Sequence, residues 1–278
     1  MFSILIPTFN NLNYLKICID SIKKNSKYDH EIILHVNDGE DGTFNYAIEN
    51  NFKHTHSDKN VGLCTAINSA AKLSSSKYIL YAHDDMYFCP EWDVHLINEV
   101  NSLGHNNFYL SGTMIEPNSG HIIFNCGEDI TSFNEKKLLL NYKNLNYYNH
   151  QGTHFAPHLV SKEMWFRVGG FSEEFNPGIA SDPDFNMKLW KQGVRIFKGL
   201  ANFKVYHFGS ITTRKKYGFK QNRGDKIFLK KWGISIKFFK KYYLQSKTKY
   251  MGPLTEPKIT LNYLFELILC KIRRIFIF

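Results

Sequence analysis

The chain has 278 residues, 43% hydrophobic and 22% charged, enough for a sizeable core in one large domain or two modest ones. Five scattered cysteines form no C-x-x-C pair, which argues against a zinc site or disulfide framework and suits a reducing cytoplasm. The net charge of +10 is uneven: residues 214–278 hold 17 basic and three acidic residues (+14), residues 1–213 hold 18 basic and 22 acidic (−4), and such a basic tail points to nucleic acid or an anionic membrane.

The opening M-F-S-I-L-I-P-T-F-N lacks a basic n-region and a cleavage site, so residues 2–7 read as a first strand and not as a signal peptide. Leu12, Leu15, Ile19 and Ile22 recur at helical spacing over 12–24. A second strand over 31–36 runs into the turn-rich N-D-G-E-D-G at 37–42. A short helix over 46–51, a third strand over 54–56, a helix over 62–73 and a fourth strand over 77–82 follow. Strands alternating with helices predict a mostly parallel sheet with helices on its faces. Each strand ends in a polar cluster: P-T-F-N-N, N-D-G-E-D-G, D-K-N-V-G and H-D-D. In such sheets ligands bind beyond the carboxyl ends of the strands, so the four clusters are expected to meet at one edge.

The last cluster is the most informative. The run Y-I-L-Y-A-H-D-D-M-Y-F at 78–88 goes from apolar to two adjacent carboxylates, Asp84 and Asp85. Hard divalent cations are held by one or two carboxylates plus substrate phosphates, although solvated turns carry such pairs too. Further strands are expected over 108–127 and an irregular excursion over 131–150. A helix is expected to start at Ser161, another to run over 182–192 to a stop at Gly193, and a strand to return over 195–207. Residues 226–243 are cationic and dense in aromatics; 259–278 are apolar but broken by Glu266, Lys271, Arg273 and Arg274. A spanning helix needs about 20 mostly uncharged residues, so the last segment suits the membrane interface, or packing on the domain or on a second copy. No nucleic-acid module accompanies it, and no nucleic acid is expected as a partner.

Taken together, S-I-L-I-P-T-F-N-N, V-N-D-G-E-D-G-T, N-V-G-L-C-T-A-I-N, H-D-D, F-R-V-G-G-F-S-E-E-F with S-D-P-D-F, V-Y-H-F-G-S and K-K-W-G occur in an order that resembles the inverting glycosyltransferases of family 2. The resemblance covers roughly residues 2–215. It implies a single GT-A (Rossmann-like) α/β domain with a mostly parallel mixed sheet flanked by helices, over residues 1–213, followed by a basic helical extension over 214–278. Residues 1–107 would bind a nucleotide-sugar and 108–213 a glycan or lipid-linked acceptor. By the same resemblance Pro7, Thr8 and Phe9 frame the base and Asp38 accepts from it. Asn60 and Gly62 approach the nucleotide, and Asp84 reaches the ribose or the metal's water shell. Asp85 and His207 hold a divalent ion, Mn²⁺ or Mg²⁺, and Asp182 is the general base.

Each residue has a plainer reading beside this one: Asp38 as a turn residue, Gly62 as a helix entry, His207 as a structural histidine, Asp182 as an N-cap. Asp184 fits a salt bridge or a supporting contact. His154, His158 and Trp165 fall on the acceptor side or in the core. Arg214, Lys215 and Lys216 would add charge at the diphosphate or form a solvated run. His83 stands where the family has an acid, and Ser181 where it has a glutamate; the role of His83 stays open. A processive synthase would show Q-x-x-R-W and membrane spans, whereas Gln221 and Arg223 are one residue too close. A nucleotidyltransferase would show a Gly-rich loop at its first strand end. A non-catalytic nucleotide- or glycan-binding module remains as the alternative. The expected setting is the cytoplasm, with peripheral attachment to the inner face of the plasma membrane through the tail.

Overall fold

The computed structural model describes residues 1–209 and 222–276; Arg214, Lys215, Lys216 and Gln221 lie outside them, as does the expected boundary at 213/214. One ten-stranded mixed sheet organises the chain. Strands β3 (Lys53–Ser57), β2 (Glu31–Asn37), β1 (Phe2–Phe9) and β4 (Tyr78–Tyr81) lie side by side in that order and run parallel. Then come β9 (His158–Ser161), antiparallel to both its neighbours, β6 (Phe108–Glu116), β10 (Ile196–His207) parallel to β6, and β5 (Met86–Phe88) antiparallel to β10. Two short strands, β7 (Ile122–Ile123) and β8 (His150–Gln151), join β6 and β10.

Helices on both faces explain why β1 and β2 read as apolar runs, not as alternating strands: Ile4, Leu5, Ile6, Ile33 and Leu34 are all fully buried. Helix α1 (Leu12–Asn25) packs through Leu15, Cys18, Ile19 and Ile22. Helices α2 (Thr43–Glu49) and α3 (Leu63–Ala71) fall within three residues of their expected places. Two elements between 86 and 103 go beyond the expected set: β5 and helix α4 (Trp92–Leu103). The helix carries Leu96, Ile97 and Val100 on its buried face and stops at Gly104, whose φ of +66° a β-carbon would strain. The excursion over 131–150 contains a helix, α5 (Glu135–Asn141), capped by Asn134, which accepts from Lys137 N at 2.8 Å. Helix α6 (Lys162–Arg167) starts as expected, with Ser161 Oγ accepting from Met164 N. Helix α7 (Ser181–Lys191) begins a residue earlier than expected, with Ala180 at the cap position, so Asp182 lies in its first turn and is not its N-cap.

From Asn222 onward the chain packs on the same core. Phe228, Phe238, Phe239, Leu244 and Leu254 are buried with the sheet's residues, and Tyr250 N and Leu254 N donate to Asn149 O and Arg195 O. The fully buried Asp184 accepts from Ser172 Oγ (2.6 Å) and Trp232 Nε1 (2.8 Å) and pairs with Lys231 Nζ (2.9 Å). Two residues of K-K-W-G thereby bind the helix that carries Asp182 to the Asn222–Trp232 helix.

A second buried carboxylate fixes the α1–β2 connection. Asp93, fully buried in the first turn of α4, accepts from Lys27 N and Tyr28 N (2.9 Å each) and contacts His30 Nε2 at 3.0 Å. Burial pushes its carboxyl up, but the hydrogen bonds from His30, Lys27 and Tyr28 outweigh burial and hold it below its usual value. A depressed folded value gives stability that is complete above the unfolded carboxylate pKa of about 3.9 and is lost as pH falls through the folded one. Asp93→Ala leaves two backbone donors and His30 unsatisfied and should cost about 2–4 kcal/mol in urea unfolding at neutral pH. The deficit should shrink in acid; a cost that is negligible at neutral pH would show that water replaces the carboxylate.

Candidate active site

The carboxyl ends of β1, β2 and β4 open into one cleft of about 280 Å³. Its sheet side is lined by Pro7, Thr8 and Phe9, by Asn37, by Asn60, and by Tyr81, His83, Asp84 and Asp85. Its far wall is Leu63 with Pro177, Gly178, Ile179 and Asp182. Of the expected donor residues, Pro7, Thr8, Phe9, Asn60 and Asp84 meet here, together with Asp85 and Asp182. Asp38 and Gly62 do not line the cleft. Asp38 sits in the turn after β2 at φ +64°, where it accepts from Asn10 Nδ2 (3.1 Å) and Glu40 N (3.3 Å). Gly62 opens α3 at φ +86°; a β-carbon there would fall 2.5 Å from the Asn176 side chain, whose Oδ1 accepts from Cys64 N. His158 and Trp165 are core residues: His158 is fully buried against Tyr109 and Phe185, and Trp165 stacks on Phe171.

The end of β4 and the end of β10 converge behind the cleft. Ligand atoms of His83, Asp85 and His207 lie within 4.8 Å of one another. Asp85 Oδ1 is 3.9 Å from His83 Nδ1 and 3.3 Å from His207 Nε2, the latter without hydrogen-bond alignment. On the other side of the ring, His207 Nδ1 meets Glu116 Oε1 at 2.6 Å, and Glu116 also accepts from Ser119 Oγ. Burial opposes charge on His207, but Asp85 and Glu116 outweigh it and raise its pKa to about 10. For His83 burial wins over Asp85 and lowers the value to about 4, so this ring is neutral at pH 7 and one of its nitrogens has a lone pair to coordinate. A buried carboxylate, a neutral imidazole and an imidazole oriented by a second carboxylate fit a divalent cation, to which His207 would give up its Nε2 proton. Glu116 lies 91 residues from His207 in sequence, and no local signal marks it; His83 stands next to the marked pair.

Asp84 opens onto the cleft itself. Burial first, and Asp85 next, push its carboxyl up to about 7, with the facing Thr8 and Asn11 pulling it back. Across the cleft, burial raises Asp182 to about 7 against the pull of Lys240, and Asp182 Oδ1 is buried with no hydrogen-bond partner. Tyr81 also lines the cleft, its Oη is buried without a partner, and burial followed by Asp182 pushes its pKa well up. Tyr81 hides in an apolar run and reads from sequence as core; Lys240 reads as one charge in a basic segment.

The model of glycosyl transferase family 2 matches residues 3–165, and the chain belongs to that family. It is 30% identical over 176 residues to the uncharacterized glycosyltransferase RP339 of Rickettsia prowazekii (strain Madrid E), covering 62% of this chain and 53% of the relative. It is 33% identical over 127 residues to the uncharacterized glycosyltransferase RT0329 of Rickettsia typhi (strain ATCC VR-144 / Wilmington), covering 44% and 39%. The chain thus spans about half the length of the first relative and less of the second. Among solved structures, S. aureus TarS 1–349 in complex with UDP-GlcNAc superimposes with a TM-score of 0.56 at 14% identity, over 97% of this chain and 79% of TarS. GalNAc-T7 with UDP, GalNAc and Mn²⁺ superimposes with a TM-score of 0.57 at 16% identity, over 74% of this chain and 43% of that one. These likenesses establish the GT-A fold.

The raised Asp182 carboxyl has a stability signature. Its folded value of about 7 lies above an unfolded value of about 3.9, so the native chain binds this proton more tightly between those limits. Stability from this group therefore falls as pH rises from about 4 to about 7. Asp182→Asn should match wild type below about pH 4 and exceed it at about pH 8 in urea unfolding. Equal stability at the higher pH would mean that the carboxylate is solvated.

Proposed function

We propose that this chain is a metal-dependent, inverting glycosyltransferase that moves a sugar from a nucleoside-diphosphate-sugar to a hydroxyl of a glycan or lipid-linked saccharide, as in the assembly of a bacterial surface polysaccharide. The observation that carries the reading is the placement of carboxylates in one cleft: Asp84 and Asp85 at the end of β4, and the unpartnered Asp182 on the opposite wall. UDP in the solved TarS and GalNAc-T7 complexes supports a nucleotide-sugar donor. In this reading residues 1–107 hold the donor, 108–213 receive the acceptor, and 214–278 form an extension.

Pro7, Thr8, Phe9 and Asn60 bind the nucleoside, and Asp38 and Gly62 shape the rim from which the base is approached. Asp85 and His207, joined by His83, hold a divalent cation, and their two imidazoles tilt the choice toward Mn²⁺ over Mg²⁺. When bound, such a cation neutralises charge growing on the departing diphosphate. Glu116 keeps the proton on His207 Nδ1 and turns Nε2 toward the site. Inversion needs one in-line displacement, so the acceptor hydroxyl must lose its proton as it attacks the anomeric carbon. Asp182 takes that proton on Oδ1, and its pKa of about 7 suits a base working near neutral pH.

Asp182→Asn should lower turnover by about 10²–10⁴-fold and leave donor affinity nearly unchanged, measured as steady-state transfer and as donor binding. The wild-type rate should rise with pH through about 7 and level off, because the ionised form is the active one. Near-normal turnover of the folded variant removes Asp182 from the mechanism. Separately, Asp85→Ala should weaken Mn²⁺ binding at least about tenfold by calorimetry without changing the fold. Full activity of wild type in a chelator would remove Asp85 and His207 together.

A further inference from the structure

The Leu261–Ile275 helix has two faces with opposite surroundings. Its inner face docks on the domain: Tyr263 lies against Phe238 and Tyr242, Glu266 accepts from Tyr242 Oη (3.1 Å) and pairs with Lys241, and Cys270 is buried, accepting from Ser235 N. The outer face carries Leu261, Leu264, Phe265, Ile268, Ile272 and Ile275, all exposed, with Leu261 at 87% and Phe265 at 63%. At 3.6 residues per turn these six side chains fall within an arc of about 100°, a continuous apolar stripe. Single exposed apolar residues are ordinary, but six on one face mark a surface that is covered in use.

What covers it follows from charge and length. Exposed Lys271 and Arg273 flank the stripe, and Arg274 is turned back toward Gly233. The segment 214–278 that carries the helix has a net charge of +14 against −4 for the rest of the chain. A second copy docked through this face would bring two pairs of Lys271 and Arg273 together, with Glu266 already paired to Lys241, which opposes self-association. Among the described residues no helix is long and apolar enough to cross a membrane. A 15-residue helix is about 22 Å long and, lying flat, would set its apolar side chains among acyl chains and its basic ones among anionic headgroups. We propose that this face is the site at which the protein docks on an anionic lipid bilayer. Residues 236–243, against which the inner face packs, also carry Lys240, whose charge reaches Asp182. The bilayer surface would thus lie one helical layer from the cleft.

The inference stands apart from the reading of the cleft, because lipid binding needs neither donor nor metal. Full-length protein should float with phosphatidylcholine vesicles containing phosphatidylglycerol at about 50 mM salt, at least about tenfold more than with phosphatidylcholine alone, and less at about 500 mM salt. Phe265→Asp with Ile268→Asp alters two exposed side chains, so the melting temperature should hold while vesicle binding falls about tenfold or more. Should that pair unfold, Lys271→Glu with Arg273→Glu provides the same test, with loss of the salt-sensitive binding expected. Wild type that ignores anionic vesicles at low salt, or folded variants that bind as wild type does, overturns the proposal. So does a wild-type dimer in sedimentation that the Phe265/Ile268 variant converts to a monomer.

Discussion

The position of Asp182 depends on a charge two residues further on. Asp184 is fully buried, and an unpaired carboxylate there would not be tolerated; Ser172, Trp232 and Lys231, from the loop before α7 and from the Asn222–Trp232 helix, satisfy it together. Breaking a buried pair by removing one partner costs about 3–5 kcal/mol, because the remaining charge stays buried. The first turn of α7 is therefore tied to the C-terminal helices through Asp184. Asp182, on that same turn, has the opposite surroundings: a buried oxygen with no partner, facing a cleft. One carboxylate is satisfied so that the other can be left unsatisfied.

The cleft applies the same division on its sheet side. Asp84 and Asp85 are adjacent, and their mutual repulsion together with burial raises Asp84 to about 7. Asp85 is turned inward to the two histidines, where Glu116 backs His207 from behind. The negative charge is thus graded from a buried cluster suited to a cation, through Asp84 at the cleft floor, to Asp182 across it. Two carboxyls with values near 7, Asp84 beside the cluster and Asp182 across the cleft, mark this as the place where burial shifts acids furthest toward neutral pH.

Much of this was legible in the sequence because it follows from local rules. Strand–helix alternation from residues 2 to 82 places the polar ends of β1, β2 and β4 on one edge, and the cleft is found there. Asp84, Asp85 and Asp182 stand in local motifs, and all three line that cleft. The rest depends on long-range pairing. Glu116 reaches His207 through the parallel register of β6 and β10, which no spacing encodes. Tyr81 alternates with neighbours that are buried on both faces, so periodicity cannot tell its buried, unpartnered hydroxyl from core. Helix α4 is a different case: Leu96, Ile97, Val100 and Gly104 carry a helical pattern and a stop, and the pattern was there to be read. Asp38 and Gly62 stand in such motifs too but lie in the turn after β2 and at the entry of α3, outside the lining of the cleft.

The C-terminal helices tie these threads together. Their inner residues are as much part of the core as those of the sheet, which is why Lys231 and Trp232 can serve Asp184 and why Lys240 can bear on Asp182. A segment recruited only to bury apolar area would not need a face of six exposed apolar side chains bordered by basic ones, because that face gains nothing from the fold and adds an aggregation hazard in water. Stability and surface chemistry therefore make separate demands on the Leu261–Ile275 helix. Tyr263, Glu266 and Cys270 meet the first, and the outer stripe answers to something outside the domain. The charge of the segment, reversed relative to the body, is the reason an anionic surface is proposed as that something.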